Sequence, residues 1–123
     1  MNLVDPNGIA AARTFVFVGP SLSPALAREL LPLAEIRGPI RRGDLDAIDA
    51  PAVVAIIDGI FDSSHAVSPR EIRTAVSRGI KVLGASSMGA LRAAEIPQML
   101  GVGRVYGMYR DGVIDRDDEV AVL

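Results

Sequence analysis

Three times along this 123-residue chain, an apolar run ends in a turn of small residues and gives way to a helix-forming segment. Thr14-Phe15-Val16-Phe17-Val18 stops at Gly19-Pro20-Ser21, and Ser23-Pro24-Ala25-Leu26 opens a helix with Ser23 as N-cap and Pro24 at the first helical position. Val53-Val54-Ala55-Ile56-Ile57 ends in Asp58-Gly59, and Ser68-Pro69-Arg70-Glu71 then has the spacing of a capping box before a helix that runs to about Arg78 and stops at Gly79. The third unit is Ile80 to Glu95. Strand–helix alternation with apolar strands predicts a parallel sheet joined by right-handed crossovers. The expected fold is a small three-layer α/β domain with a mostly parallel sheet and crossover helices.

The remaining segments are expected to be irregular. Residues 1–13 read as a flexible lead-in to a core domain at 14–123, and Ile36 to Gly43 as a loop or short edge strand. Gly43 to Ile48 has the pattern of a short capped helix, and Val102 to Tyr109 that of an extended piece before an Asp111-Gly112 turn.

Composition excludes several classes of function. With no cysteine, the chain has no disulfide, thiolate metal site or cysteine nucleophile. A net charge of −2 and 4% aromatics give no basic, base-stacking face, so no nucleic-acid partner is expected. No apolar run approaches the roughly 20 residues that span a bilayer, and the first residues lack the order of a signal peptide. The expectation is a cytoplasmic protein without a membrane partner. The acidic cluster Asp115 to Glu119 lacks the spacing of a calcium loop, so no metal and no cofactor are expected; the cluster reads as a solvated or partner-docking face.

The third unit carries the most chemistry. In Ala85-Ser86-Ser87-Met88-Gly89 the pattern is small-x-Ser-x-Gly, with alanine where a nucleophile elbow usually has glycine. Such an elbow exposes a serine hydroxyl at the head of a sheet, beside the N–H groups of a new helix that can hold an oxyanion. The same turn also suits a phosphate-binding or purely structural role. In open α/β sheets ligands bind beyond the carboxyl ends of the strands. Gly19, Pro20, Ser21, Asp58, Gly59, Met88 and Gly89 would there share one edge with Ser87.

A serine nucleophile needs a base. Lys81 is the only lysine, but it starts the strand that Ser87 follows, and six extended residues cover about 20 Å. His65, the only histidine, is a base or a solvated loop residue. Arg92 either pairs with Glu95 one helical turn on or neutralises an anionic ligand near the elbow.

Gly19-Pro20-Ser21-Leu22, Arg42-Gly43-Asp44-Leu45, Ile57-Asp58-Gly59-x-Phe61, Gly84 to Glu95, Gly101-Val102-Gly103, Tyr109-Arg110-Asp111-Gly112 and Asp117 to Val122 follow one another in that order. Together they resemble the core domain of TfuA-like proteins over about residues 14–122. The resemblance implies an accessory role in peptide backbone thioamidation, a step in natural-product biosynthesis, beside a YcaO-type enzyme. YcaO activates a peptide amide with ATP so that sulfur replaces oxygen. The TfuA-like partner is associated with hydrolysing a thiocarboxylated sulfur-carrier protein, so that sulfide reaches YcaO, and with strengthening YcaO's hold on its precursor peptide. The alternative implied role is a non-catalytic adaptor that docks YcaO and that peptide. The family is credited with a Ser-Lys pair. By that resemblance Ser87 is the nucleophile and Ser86 the fallback; either Lys81 is the paired lysine, against the strand geometry, or the chain keeps only the partner-binding role. Many members carry His-Lys-Glu-Ile where this chain has Pro69-Arg70-Glu71-Ile72, and arginine cannot act as a base.

Overall fold

A computed structural model describes residues 13–62 and 64–112, and the backbone of two short strands ahead of them. Those two, β1 (Leu3–Val4) and β2 (Ala10–Ala11), pair antiparallel. The acidic cluster Asp115 to Glu119 lies outside the described residues.

Five strands form one sheet: β3 (Arg13–Phe17), β4 (Glu35–Arg37), β5 (Ala52–Ile56), β6 (Ile80–Ala85) and β7 (Leu100–Val102). Their order is β4-β3-β5-β6-β7, and every pairing is parallel. The sheet is parallel throughout, as the alternation of strand and helix predicts. β3 opens one residue earlier than the Thr14 start read from sequence, because Arg13 is in register with Ala52.

The step from β3 to β4 runs one way across the sheet and all later steps run the other way. With right-handed crossovers, that reversal puts the first helix on one face and the later ones on the opposite face. Packing agrees. Helix α1 (Pro24–Leu30) buries Ala27 against Val16 and Val18 on one face. On the other, α2 (Pro69–Ser77), α3 (Ser86–Glu95) and α4 (Arg104–Arg110) cover Phe15, Phe17, Val54, Ile56, Ile80 and Val82. Alternation along β5 and β6 explains the division: Ala52, Val54, Ile56, Ile80 and Val82 point into the larger core, while Val53, Ala55 and Leu83 face the α1 side half-buried.

Local sequence sets the helix starts. The Ser23 hydroxyl accepts the Leu26 N–H at 3.2 Å, with Pro24 at the first position. Ser68 accepts the Glu71 N–H at 3.1 Å, which is half of the expected capping box. The other half is absent, because the Glu71 carboxylate turns away. It takes the N–H groups of Gly43 (2.9 and 3.0 Å) and Leu45 (3.1 Å). The short helix expected over Gly43 to Ile48 is a single 3₁₀ turn, Leu45–Ala47. Asp44 does not cap it; its carboxylate accepts the Arg41 N–H. Arg78 instead closes the far end, donating to the carbonyls of Leu45 and Ile48.

The extended piece expected over Val102 to Tyr109 is mostly helix. Only Leu100–Val102 is strand, and Gly103, at φ 93°, turns the chain into α4. Burial of Tyr109 and packing of Val105 and Tyr106 on the main core hold that helix in place.

Candidate active site

The carboxyl ends of the strands form the edge where ligands bind in folds of this order, above all at the reversal between β3 and β5. Asp58, two residues past the end of β5, stands at that reversal and is 2% exposed. Its Oδ2 accepts the N–H groups of Gly19 (2.7 Å) and Ser21 (3.1 Å), and its Oδ1 accepts the Ser21 hydroxyl at 2.7 Å. The small turn after β3 is therefore tied to the end of β5 by three hydrogen bonds to one carboxylate. Its N–H donors, which would otherwise suit a phosphate, are occupied from within the protein. A buried carboxylate needs such partners, since desolvation disfavours the charge.

One strand over, the chain leaves β6 through an elbow. Ser86 has φ 57°, and Ser87 has φ 23° and ψ −128°, so Ser87 breaks the helical path at the start of α3. Two successive non-glycine residues at positive φ are uncommon, and strain of this kind collects at functional sites where the surroundings enforce it. The enforcing contacts are visible. A Cβ on Gly89 would lie 1.7 Å from the Ile56 carbonyl oxygen, and the Gly89 N–H reaches the Ile57 carbonyl at 3.3 Å. A Cβ on Gly59 would lie 2.6 Å from Met88 Cγ. Only glycine at both places lets the first turn of α3 press down onto the end of β5. Met88 is fully buried by that contact, while Ser86 and Ser87 stay half-buried at the edge. Gly89's amide is spent on the Ile57 carbonyl.

The residues singled out from sequence divide into separate groups. Gly19, Ser21 and Asp58 are joined by hydrogen bonds, and Pro20 is exposed between the first two. Gly59 packs on Met88, and Gly89 packs on the Ile56 carbonyl, in the first turn of α3 after Ser87. Arg92 lies further along α3: its Nε donates to the Val67 carbonyl at 3.0 Å and its Nη1 pairs with Glu95 at 3.0 Å. Lys81 stands exposed near the start of β6, in register with Val53, at the opposite end of the strand from Ser87. Among the described residues, no grouping of three or more His, Asp and Glu side chains suits a metal ion.

Sequence reasoning missed Glu71, whose carboxylate organises the loop from Gly43 to Leu45. Burial pushes its pKa above the usual 4.5, outweighing the hydrogen bonds from Gly43 and Leu45 that act the other way. It also missed the pair Asp62–His65, whose Oδ2 and Nδ1 lie 2.8 Å apart. The hydrogen bond from His65 holds the Asp62 carboxyl below the usual range.

A profile of the family described as TfuA-like protein matches residues 58–123, which begin at Asp58 and include the whole elbow. The chain belongs to the TfuA-like family. No curated protein matches it with significant sequence similarity. TfuA-like proteins are associated with an accessory role in peptide thioamidation, as partners of YcaO-type enzymes. In this TfuA-like chain, the strained turn and both glycines beneath it fall within the matched region. No helix among the described residues is long and apolar enough to cross a membrane.

Proposed function

We propose that this TfuA-like protein hydrolyses a thiocarboxylated sulfur-carrier protein and so delivers sulfide to a YcaO-type enzyme that thioamidates a precursor peptide. The observation that carries the reading is the backbone of Ser87, strained at φ 23° and half-exposed at the carboxyl edge of a parallel sheet. Ser87 Oγ attacks the acyl carbon of the thiocarboxylate, and the Met88 N–H faces the developing oxyanion. The C–S bond breaks and hydrosulfide leaves with the serine proton. Water then cleaves the acyl-serine, returning the hydroxyl and a free carrier carboxylate. Ser86, next to it at φ 57°, is the fallback nucleophile. Gly19, Pro20 and Ser21 form one wall of the site, Asp58 and Gly59 its floor, and Met88, Gly89 and Arg92 its helix side. Lys81, as placed at the far end of β6, can pair with Ser87 only through a different arrangement of that strand.

The experiment is to incubate the protein with a C-terminally thiocarboxylated carrier and follow sulfide. Wild type should release it and Ser87→Ala should not; absence of release by wild type overturns the reading.

A second reading, a non-catalytic adaptor that docks YcaO and its peptide, is favoured by one observation. The α1 side of the sheet carries a strip of Val53, Leu83, Leu100 and Val102 that lies outside the small core around Ala27, with Leu100 and Val102 about half exposed. Parallel sheets are normally covered on both faces. YcaO capture that survives Ser87→Ala and fails in Leu100→Asp would support the adaptor.

A further inference from the structure

The two faces of the sheet are covered unequally. Among the described helices only α1 lies on its own side, and the small core around Ala27 reaches no further than Ala55 and Ile57 of β5. Beyond it lie β6 and β7. Side-chain alternation aims Leu83 and Ala85 of β6, and Leu100 and Val102 of β7, at that open side. The intervening glycines fix the direction. A Cβ on Gly84 would meet Met99 and one on Gly101 would meet Tyr106, and both of those belong to the core of the opposite face. Leu83 is in register with Leu100, and Ala85 with Val102, so the four form an apolar floor. Two strands make that floor about 10 Å wide, the diameter of one helix.

The wall beside this trough is α1 itself. Ala27 faces its own sheet. With a right-handed helix and a right-handed β3–α1–β4 crossover, the flank carrying Leu26 and Leu30 points away from β4, toward β6 and β7. Leu26 and Leu30 are 44% and 62% exposed, and Leu100 and Val102 are 52% and 48% exposed. A helix thus shows an apolar flank beside a gap one helix wide.

We propose that a second copy of this chain fills the trough, in a two-fold dimer whose axis runs parallel to the strands. That axis sets the two α1 helices side by side through Leu26 and Leu30, in one layer between the two sheets. Each α1 then lies on the other copy's β6 and β7. Two-fold symmetry covers wall and floor together, because both copies present both. The reciprocal contact buries on the order of 1,200 Å², enough for a specific interface.

Charge favours the same occupant. Glu29, two positions after Ala27, is turned about 200° around α1 and faces away from its own sheet, onto the other copy's floor. That floor carries Lys81, exposed and on the same face of β6 as Leu83. Because α1 runs back from the carboxyl edge, Glu29 in its last turn lies toward the amino ends of the strands, where Lys81 is the second residue of β6. An axis along the strands preserves that height. Neither Glu29 nor Lys81 is paired with a described residue of its own chain. The dimer gives a role to the one lysine, and both Ser87 elbows open on the same side of it.

The test is sedimentation velocity of the full chain over a concentration series. Wild type should run at twice the 12.9 kDa of one chain. Leu30→Asp and Leu100→Asp should each raise the dimer Kd by at least about 100-fold. Both positions are more than half exposed, so the fold should survive, with far-UV circular dichroism as the check. Glu29→Lys and Lys81→Glu should each weaken the dimer at least about fivefold, and together they should bring Kd back to within about twofold of wild type. A wild type that stays monomeric up to about 100 μM overturns the proposal, and capture of YcaO by that monomer through Leu100 would give the strip to the adaptor reading. A dimer that both aspartate variants leave intact also overturns it. Charge variants whose effects add instead of cancelling overturn the pairing of Glu29 with Lys81.

Discussion

Gly89 lies so close to Ile56 that a Cβ on the glycine would sit 1.7 Å from the isoleucine's carbonyl oxygen. The atom in the way is backbone in the central strand pair of the sheet, so it cannot swing aside. Gly89→Ala must therefore lift α3 off β5 and relax the elbow. We expect a loss of about 3 kcal/mol in stability, read by thermal or urea denaturation. A melting temperature equal to wild type would mean that the elbow is not seated as described.

Asp58→Ala removes three acceptor contacts at once and leaves the Gly19 and Ser21 N–H groups without their carboxylate. Each unsatisfied buried donor costs about 1–3 kcal/mol, so a loss of about 2–5 kcal/mol is expected. Ser21→Ala, which removes only the hydroxyl contact, should cost about 1 kcal/mol. Equal effects of the two changes in chemical denaturation would contradict this division of work.

Much of this architecture is legible in the amino-acid sequence. The three apolar runs are β3, β5 and β6, and Ser23, Ser68, Pro24 and Pro69 mark the starts of α1 and α2, because caps and proline positions are local physics. The elbow is legible for the same reason, since small-x-Ser-x-Gly reports a turn that only small residues permit. Helix α4 is not. Arg104 to Arg110 contains Val105, Tyr106, Gly107 and Tyr109, all weak helix formers, and the helix forms because tertiary burial of Tyr109 overrides propensity. The box spacing misleads at Glu71 because the true partners of its carboxylate lie 26 and 28 residues away. A similar distance hides Arg92's hold on Val67.

Glu71 gives the fold a pH signature. Its pKa is raised by burial in the folded chain, so the folded state binds the proton more tightly than the unfolded state does. The group's stabilising contribution is then fully present below the unfolded value of about 4.5 and is lost as pH rises through the folded pKa. Glu71→Gln cannot titrate. The stability of wild type relative to Glu71→Gln should therefore fall from pH 4 to pH 7 in paired urea melts; a relative stability that rises with pH would reverse the sign assigned to Glu71.

Arg92→Met frees the Val67 carbonyl while keeping much of the apolar stem against α3. Stability should fall by about 1–2 kcal/mol, and amide exchange should quicken in residues 64–67 well ahead of the sheet. Uniform exchange across both would remove Arg92 as the anchor of that loop.

The central claim, that Ser87 carries the acyl group, is tested most directly by mixing the protein with thiocarboxylated carrier, quenching early in acid and weighing the intact species. The account predicts a covalent carrier–protein ester, mapped by peptide digestion to Ser87 and missing from Ser87→Ala. Sulfide release at the wild-type rate by Ser87→Ala, with no ester on either protein, would contradict it.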